Sequence, residues 1–205
     1  RDRDGGEVKV LGHDPAKLGN ESWSWRNRIG IVLQSTNDSQ DLSVSETVKH
    51  FANYYSNSRN PDSVIREVGL DEKKDARIES LSGGQRRRLD VALGIIGNPE
   101  ILFLDEPTTG FDPEARRAFW LLIKSLRDQG TTIVLTTHYL DEAEELADRV
   151  AVVSRGKIIE IATPSELGGR STVLARVRWN DGEIVREEES DNPTELVIRL
   201  SEEFG

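Results

Sequence analysis

The run Ile101-Leu102-Phe103-Leu104-Asp105-Glu106 places four apolar residues directly ahead of two adjacent carboxylates. Such a run reads as a short buried strand whose acids emerge at its C-terminal end, the edge at which α/β sheets hold ligands. A carboxylate there can take one side of a Mg2+ ion, which binds a few oxygens and retains several waters. The neighbouring Glu106 can accept a proton from water. Upstream, Leu81-Ser82-Gly83-Gly84-Gln85 opens a predicted helix. Its small residues let backbone approach an anion, and the helix start supplies free N–H groups and partial positive charge. Downstream come Thr108-Thr109-Gly110-Phe111-Asp112 and then His138, at the end of the next strand. An acid pair alone is also what a solvated strand end looks like. The weight lies in the combination, because every one of these groups falls at a strand or helix end on the same side of a sheet.

The elements that position these groups follow from hydrophobic pattern and punctuation. Glu7 to Leu11 alternates after Gly5-Gly6 and predicts a strand, and Arg28 to Gln34 predicts a buried one. From Ser43 to about Gly69 the pattern is helical. Ser43-Val44-Ser45-Glu46 resembles a capping box, and Pro61 opens a further helix. Helices are expected over 83–96 and 113–128, strands over 101–104 and 131–137, and a short acidic helix over 141–148. Two strands, 149–154 and 157–161, turn at Arg155-Gly156. After Pro164 the character changes to a strand over 171–179, a turn at Asp181-Gly182, a return strand over 183–187 and a helix over 193–204. Strands alternating with helices imply an α/β domain with a largely parallel sheet. The helical stretch between two of its strands implies an inserted subdomain.

Composition narrows the classes. With 205 residues, the chain has room for one domain or one with a small appendage. There are 27 Lys and Arg against 37 Asp and Glu, so the net charge of −10 argues against nucleic-acid backbone as the main partner. The absence of Cys removes thiolate chemistry and Cys-ligated metals, and three His make a structural zinc site improbable. No apolar run approaches the ~18 residues of a membrane helix. There is no Met, and Arg1 stands first, which together suggest a piece of a longer chain.

The motifs resemble those of the nucleotide-binding domain of ABC transporters. LSGGQ at 81–85 matches the family signature and ILFLDEP at 101–107 its Walker B strand. Gly110-Phe111-Asp112 matches the D-loop, His138 the switch histidine and Gln34 the Q-loop glutamine, in family order across residues 5 to about 165. The resemblance implies the P-loop NTPase (RecA-like) fold, with core segments at 1–35 and 95–165, a helical subdomain at 36–94 and a small α+β extension at 166–205. It implies ATP and Mg2+ as cofactors. Asp105 would bind Mg2+, Glu106 would be the general base, and His138 would contact the γ-phosphate. Gln34 would touch Mg2+ or the attacking water and report nucleotide state. Ser82, Gly83, Gly84 and Gln85 would bind the γ-phosphate of ATP held by the opposite subunit, and Asp112 would communicate across that interface. The implied partners are a second ATPase subunit, with ATP at a head-to-tail interface, and transmembrane permease subunits. The implied location is cytoplasmic, peripheral at the inner face of the cell membrane. The wording around Asp112-Pro113 and Thr137-His138-Tyr139-Leu140-Asp141-Glu142-Ala143-Glu144 looks most like exporter ATPases with separate membrane subunits.

One family element is missing from these residues. The phosphate-binding loop G-x-x-x-x-G-K-[ST] has no match, because Gly156-Lys157 is the only Gly-Lys pair, and Ala151 and Ile158 stand where Gly and Ser or Thr are required. By resemblance that loop precedes the segment matching Asp4 to Val8. By resemblance the sheet is therefore expected to lack a strand beside those at about 132–137 and 149–154, and the 205 residues alone are expected to be catalytically incompetent. Two other readings stay open: a soluble ABC-type ATPase of translation or DNA maintenance, and a non-catalytic fragment. Against the first, the gap from Gln34 to Leu81 is 47 positions, too short for a long coiled coil, and the signature occurs once.

Overall fold

The computed structural model describes residues 5–19, 22–33, 41–169, 175–181, 184–190 and 193–204. It divides into two compact units, Arg1–Leu140 and Asp141–Gly205. In the first, α1 (Ser22–Arg26) leads into β1 (Ile29–Val32). Then come α2 (Val44–Ala52), α3 (Pro61–Glu67), α4 (Gly83–Ile95), β2 (Ile101–Asp105), α5 (Pro113–Asp128) and β3 (Thr132–Thr136). The helix α6 (Leu140–Leu146) begins where the units divide.

The three strands of the first unit form a parallel sheet in the order β1-β2-β3, with Val32 opposite Leu104 and Asp105 opposite Thr136. This is the α/β class with a parallel sheet that the alternating pattern predicts. Parallel strands need crossovers, and the helices supply them. One face carries Val32, Leu102 and Leu104, all buried. On the other face Ile31, Leu33 and Val134 are exposed, at 60%, 54% and 42%. Parallel sheets ordinarily have both faces covered. Among the described residues, β3 pairs only with β2, so its outer edge carries no strand.

Local chemistry accounts for where the helices start. Ser43 caps α2 by accepting from the Glu46 N–H at 3.2 Å, while the Glu46 carboxylate accepts from the Ser43 N–H at 2.8 Å. That reciprocal pair is the predicted capping box. The same backbone hydrogen bond, then that to the Ser43 side chain, holds the Glu46 carboxyl below the usual carboxylate range. Asn60 caps α3, and Pro61 follows at the first helical position, where its missing N–H costs nothing. Asp112 and Pro113 repeat the arrangement at α5.

The helix α4 lies against β1 through two glycines. A Cβ added to Gly30 would meet the Gly94 carbonyl oxygen at 2.2 Å, and one added to Gly94 would meet a Val32 methyl at 2.8 Å. Neither neighbour is the loose end of a flexible side chain. Gly30→Ala is therefore expected to destabilise the protein by about 1–3 kcal/mol through overpacking. The check is a lowered midpoint of urea unfolding at unchanged slope, and a wild-type midpoint would show that α4 can back away from the sheet.

The N-terminal strand predicted over 7–11 does not form. Val10 and His13 make an isolated antiparallel bridge, with Leu11 and Gly12 at φ of 50° and 82° between them. The chain turns before it can pair further. The Trp25 indole donates to the Val10 carbonyl at 2.9 Å, whereas Trp23 is exposed.

The second unit contains β4 (Val150–Ser154) paired antiparallel with β5 (Lys157–Ala162), and β6 (Ala175–Asp181) paired antiparallel with β7 (Ile184–Ser190), followed by α7 (Pro193–Phe204). The predicted turn at Asp181-Gly182 falls partly outside the described residues. Across β6 and β7, Arg176 pairs with Glu189 at 2.9 Å and Arg178 with Glu187 at 2.8 Å. These exposed pairs fix register more than they stabilise. Leu196 and Leu200, four residues apart on one face of α7, are buried.

Candidate active site

Asp105 and Glu106 stand at the C-terminal end of β2, as the apolar run requires. The Thr136 hydroxyl, at the end of β3, donates to Asp105 Oδ1 at 2.5 Å. The Glu106 N–H donates to the Thr136 carbonyl at 3.1 Å and lies 3.2 Å from the Thr136 hydroxyl. Thr136 therefore sets both acids at once. Past the last strand pair the chain breaks direction at Glu106, whose φ is +43°. A non-glycine residue in that region costs roughly 1–3 kcal/mol and persists where surrounding contacts enforce it.

The turned backbone delivers the Glu106 carboxylate to two partners. The Thr109 hydroxyl donates to Oε2 at 3.3 Å, and His138 Nδ1 lies 3.5 Å from Oε1. Glu106 and His138 remain 34% and 55% exposed, so both can meet a ligand. The imidazole is itself braced. Tyr139 lies against it with ring centroids 4.1 Å apart, and the Arg116 guanidinium sits 4.5 Å from the Tyr139 ring centre. Arg116 belongs to the first turn of α5, so that helix supports the histidine through an aromatic ring.

A second group forms around the starts of α4 and α5. Ser82 caps α4, its hydroxyl accepting from the Gln85 N–H at 3.3 Å, while the Gln85 side chain accepts from the Ser82 N–H at 3.0 Å. Gly83 and Gly84 carry the two first-turn N–H groups that this capping box does not use. A Cβ on Gly83 would meet nothing within 4 Å, and one on Gly84 would meet only the Ala115 methyl at 3.9 Å. Packing among the described residues leaves room for a Cβ at both positions, and Gly83 is exposed to something approaching from outside. Asp112 caps α5 by accepting from the Glu114 and Ala115 N–H groups at 3.0 and 2.9 Å. Phe111 packs edge-on against Phe119, with centroids 5.7 Å apart, and steadies that turn.

The structure thus brings Asp105, Glu106 and His138 together at one sheet edge, and Ser82 to Gln85 with Asp112 at neighbouring helix starts. Gln34 lies outside the described residues. Thr136, Thr109, Tyr139, Arg116 and Arg87 were not singled out by the sequence. Of these, Thr109 and Tyr139 had a local signal, standing three positions after Glu106 and directly after His138. Thr136, which reaches Asp105, and Arg116, which reaches Tyr139, depend on contacts between distant segments.

The donor set suits Mg2+ in only one way. No group of three or more His, Asp or Glu residues able to hold a metal occurs among the described residues. A single carboxylate, with one oxygen already taken by Thr136, fits an ion whose other positions are filled by water and phosphate oxygens. It does not fit an ion held by protein alone.

The family model described as ABC transporter matches residues 1–109, a span that contains Ser82 to Gln85 and Asp105-Glu106. The daunorubicin/doxorubicin resistance ATP-binding protein DrrA of Streptomyces peucetius is 39% identical over 204 residues, covering 96% of this chain and 61% of that protein. The Nod factor export ATP-binding protein I of Ralstonia nicotianae is 42% identical over 150 residues, covering 69% of this chain and 46% of that protein. The chain therefore spans 61% or less of the length of these two curated relatives. Among solved structures, the ATP-binding cassette MJ0796, a dimer in a post-hydrolysis state bound to ADP and Pi, matches with a TM-score of 0.68. It is 23% identical, over 78% of this chain and 74% of that one, a likeness of fold.

Proposed function

This chain belongs to the ABC transporter family, and we propose that it is part of an ATP-binding and ATP-hydrolysing subunit that powers export through partner membrane subunits. The observation that carries the reading is the placement of Asp105, Glu106 and His138 at one sheet edge, with a glycine-opened helix start at Ser82 left facing outward. Two relatives with drug-resistance and Nod-factor-export names favour export over translation or DNA maintenance. The acidic balance of the chain argues in the same direction.

In this reading Asp105 would hold Mg2+, mostly through water, and the Thr136 hydroxyl orients its carboxylate. The ion, when bound, neutralises charge on the β- and γ-phosphates. Glu106 accepts a proton from the attacking water. Thr109 and His138 hold its carboxylate until nucleotide arrives, and His138, braced by Tyr139, then serves the γ-phosphate. Gln34 would touch Mg2+ or the attacking water, as the family resemblance implies. The N–H groups of Gly83 and Gly84, with Ser82 and Gln85, bind the γ-phosphate of ATP on the opposite subunit. Asp112, held at the start of α5, communicates across the same interface. Such catalysis is positioning and electrostatics, with no covalent intermediate.

The proposal extends to organisation. The core comprises 1–35 and 95–165, the helical subdomain 36–94, and 166–205 is an appended unit. The strand that leads into the family's phosphate-binding loop belongs beside β3, whose outer edge pairs with no strand among the described residues. The subunit works as a head-to-tail dimer at the inner face of the membrane. No helix among the described residues is long and apolar enough to cross a membrane.

Cradling of the α- and β-phosphates depends on backbone N–H groups and a lysine that are absent from these 205 residues. Alone, they are expected to bind Mg-ATP no more tightly than millimolar, whereas the full-length protein binds it well below that. Isothermal titration checks both, and sub-millimolar affinity at this site for the 205 residues would contradict the assignment. Co-purification with a membrane subunit, against association with ribosomes or DNA, separates the export reading from its rival.

A further inference from the structure

Arg87 is the only buried lysine or arginine among the described residues, with 7% of its side chain exposed. It lies in α4, one turn beyond the Ser82 cap. Its guanidinium donates from Nε to the Pro107 carbonyl at 3.1 Å, from Nη2 to the Asp105 carbonyl at 2.7 Å, and from Nη1 to the Leu33 carbonyl. Asp90, three residues on, stands 3.8 Å from Nη1. The pairing of β1 with β2 ends at Val32 opposite Leu104. Arg87 takes the next carbonyl on each strand, and then the carbonyl just beyond Glu106.

One planar group therefore joins four segments: α4, the end of β1 that leads into Gln34, the end of β2, and the turn after the acid pair. A buried guanidinium is costly unless its donors are met, and hydrogen bonds from a charged donor are about twice as strong as neutral ones. The far end of α4 is seated by Gly94 on Gly30. A helix fixed at its middle and far end moves as a body with the strands beneath it. Displacement of its first turn is then felt at Asp105 and Glu106.

We propose that Arg87 is a positioning residue that makes the signature turn and the acid pair of one subunit a single mechanical unit. Engagement of Ser82 by the partner's nucleotide then governs where Asp105 and Glu106 stand in the subunit's own site. This rests on the reading above, in which those two groups serve different composite ATP sites. Loading of one site is thereby linked to completion of the other.

The test uses the full-length protein with Glu106→Gln, so that nothing turns over, and measures ATP-driven dimerisation by sedimentation. Arg87→Lys keeps the charge, but an ammonium cannot fork across three carbonyls as a guanidinium does. ATP affinity of the isolated monomer is expected to stay within about twofold. The dissociation constant of the ATP-loaded dimer is expected to rise about tenfold, equivalent to ~1.4 kcal/mol. If Arg87 only supports the fold, melting temperature and monomer affinity fall while the dimer constant per loaded monomer is unchanged, and the proposal is overturned. Arg87→Gln gives a second reading of the same quantities should the lysine variant fold poorly. Ser82→Arg, measured alongside, tests the underlying reading separately. Normal dimerisation of that variant defeats the trans-acting signature itself. Loss of its dimer, with the Arg87→Lys dimer intact, defeats only the role given to Arg87.

Discussion

Glu106→Gln in the full-length protein is expected to lower ATP turnover by roughly 10²–10⁴-fold while leaving ATP binding intact. The amide keeps the size of the carboxylate and can still accept from Thr109, so the strained backbone at Glu106 and the contacts that enforce it survive. What it loses is the ability to take a proton from water. A site that binds ATP without hydrolysing it should also hold two subunits together, because the shared nucleotide is not removed. The measurements are steady-state phosphate release and size exclusion with and without ATP. Turnover near the wild-type rate would refute the role given to Glu106.

That prediction could be framed from the sequence, and the reason is local. Four apolar residues followed by two acids can hardly be anything but a buried strand with an exposed acidic end, and β2 has that form. The start of α5 was equally legible, since Asp112 and Pro113 supply a side-chain acceptor and a fixed φ at adjacent positions. The Ser43–Glu46 pair announced itself by spacing alone. These features need only a few neighbouring residues to be stated.

The supports of the site were not legible, because they join segments far apart in the chain. Thr136 reaches Asp105 across 31 positions and Arg87 reaches Leu33 across 54. Arg87 sits between Arg86 and Arg88, identical in type, so composition does not single it out. Helical spacing could have done so, since 87, 91 and 95 fall on one face, and Val91 and Ile95 are buried. The failed strand at 7–11 shows the converse. Its alternation is genuine, but an alternating segment becomes a strand only when a partner edge is offered. Here it meets a turn at Leu11 and Gly12.

The division of labour between Ser82 and Glu106 yields the second large effect. If the signature turn acts on the partner's nucleotide, each composite site takes its base from one subunit and its signature from the other. Full-length chains carrying Ser82→Arg have a blocked signature, and chains carrying Glu106→Gln have no base. Each homodimer carries the lesion in both of its sites and is expected to be nearly inactive. In a mixed dimer, the site built on the Ser82→Arg subunit keeps its own Glu106 and receives the intact signature of its partner. The other site collects both lesions. Mixing two inactive preparations is therefore expected to restore part of the wild-type rate, with a maximum at intermediate ratios, one intact site being able to turn over. Were signature and base parts of one site within a single chain, every site in the mixture would carry a lesion and no ratio would restore activity. The geometry favours the first outcome: Ser82 and Gln85 bond each other, while a Cβ at Gly83 would meet nothing within 4 Å, so the helix start is open to a group from outside. A helix start with unused donors is an anion site awaiting an occupant, and a nucleotide bound across a subunit interface supplies one.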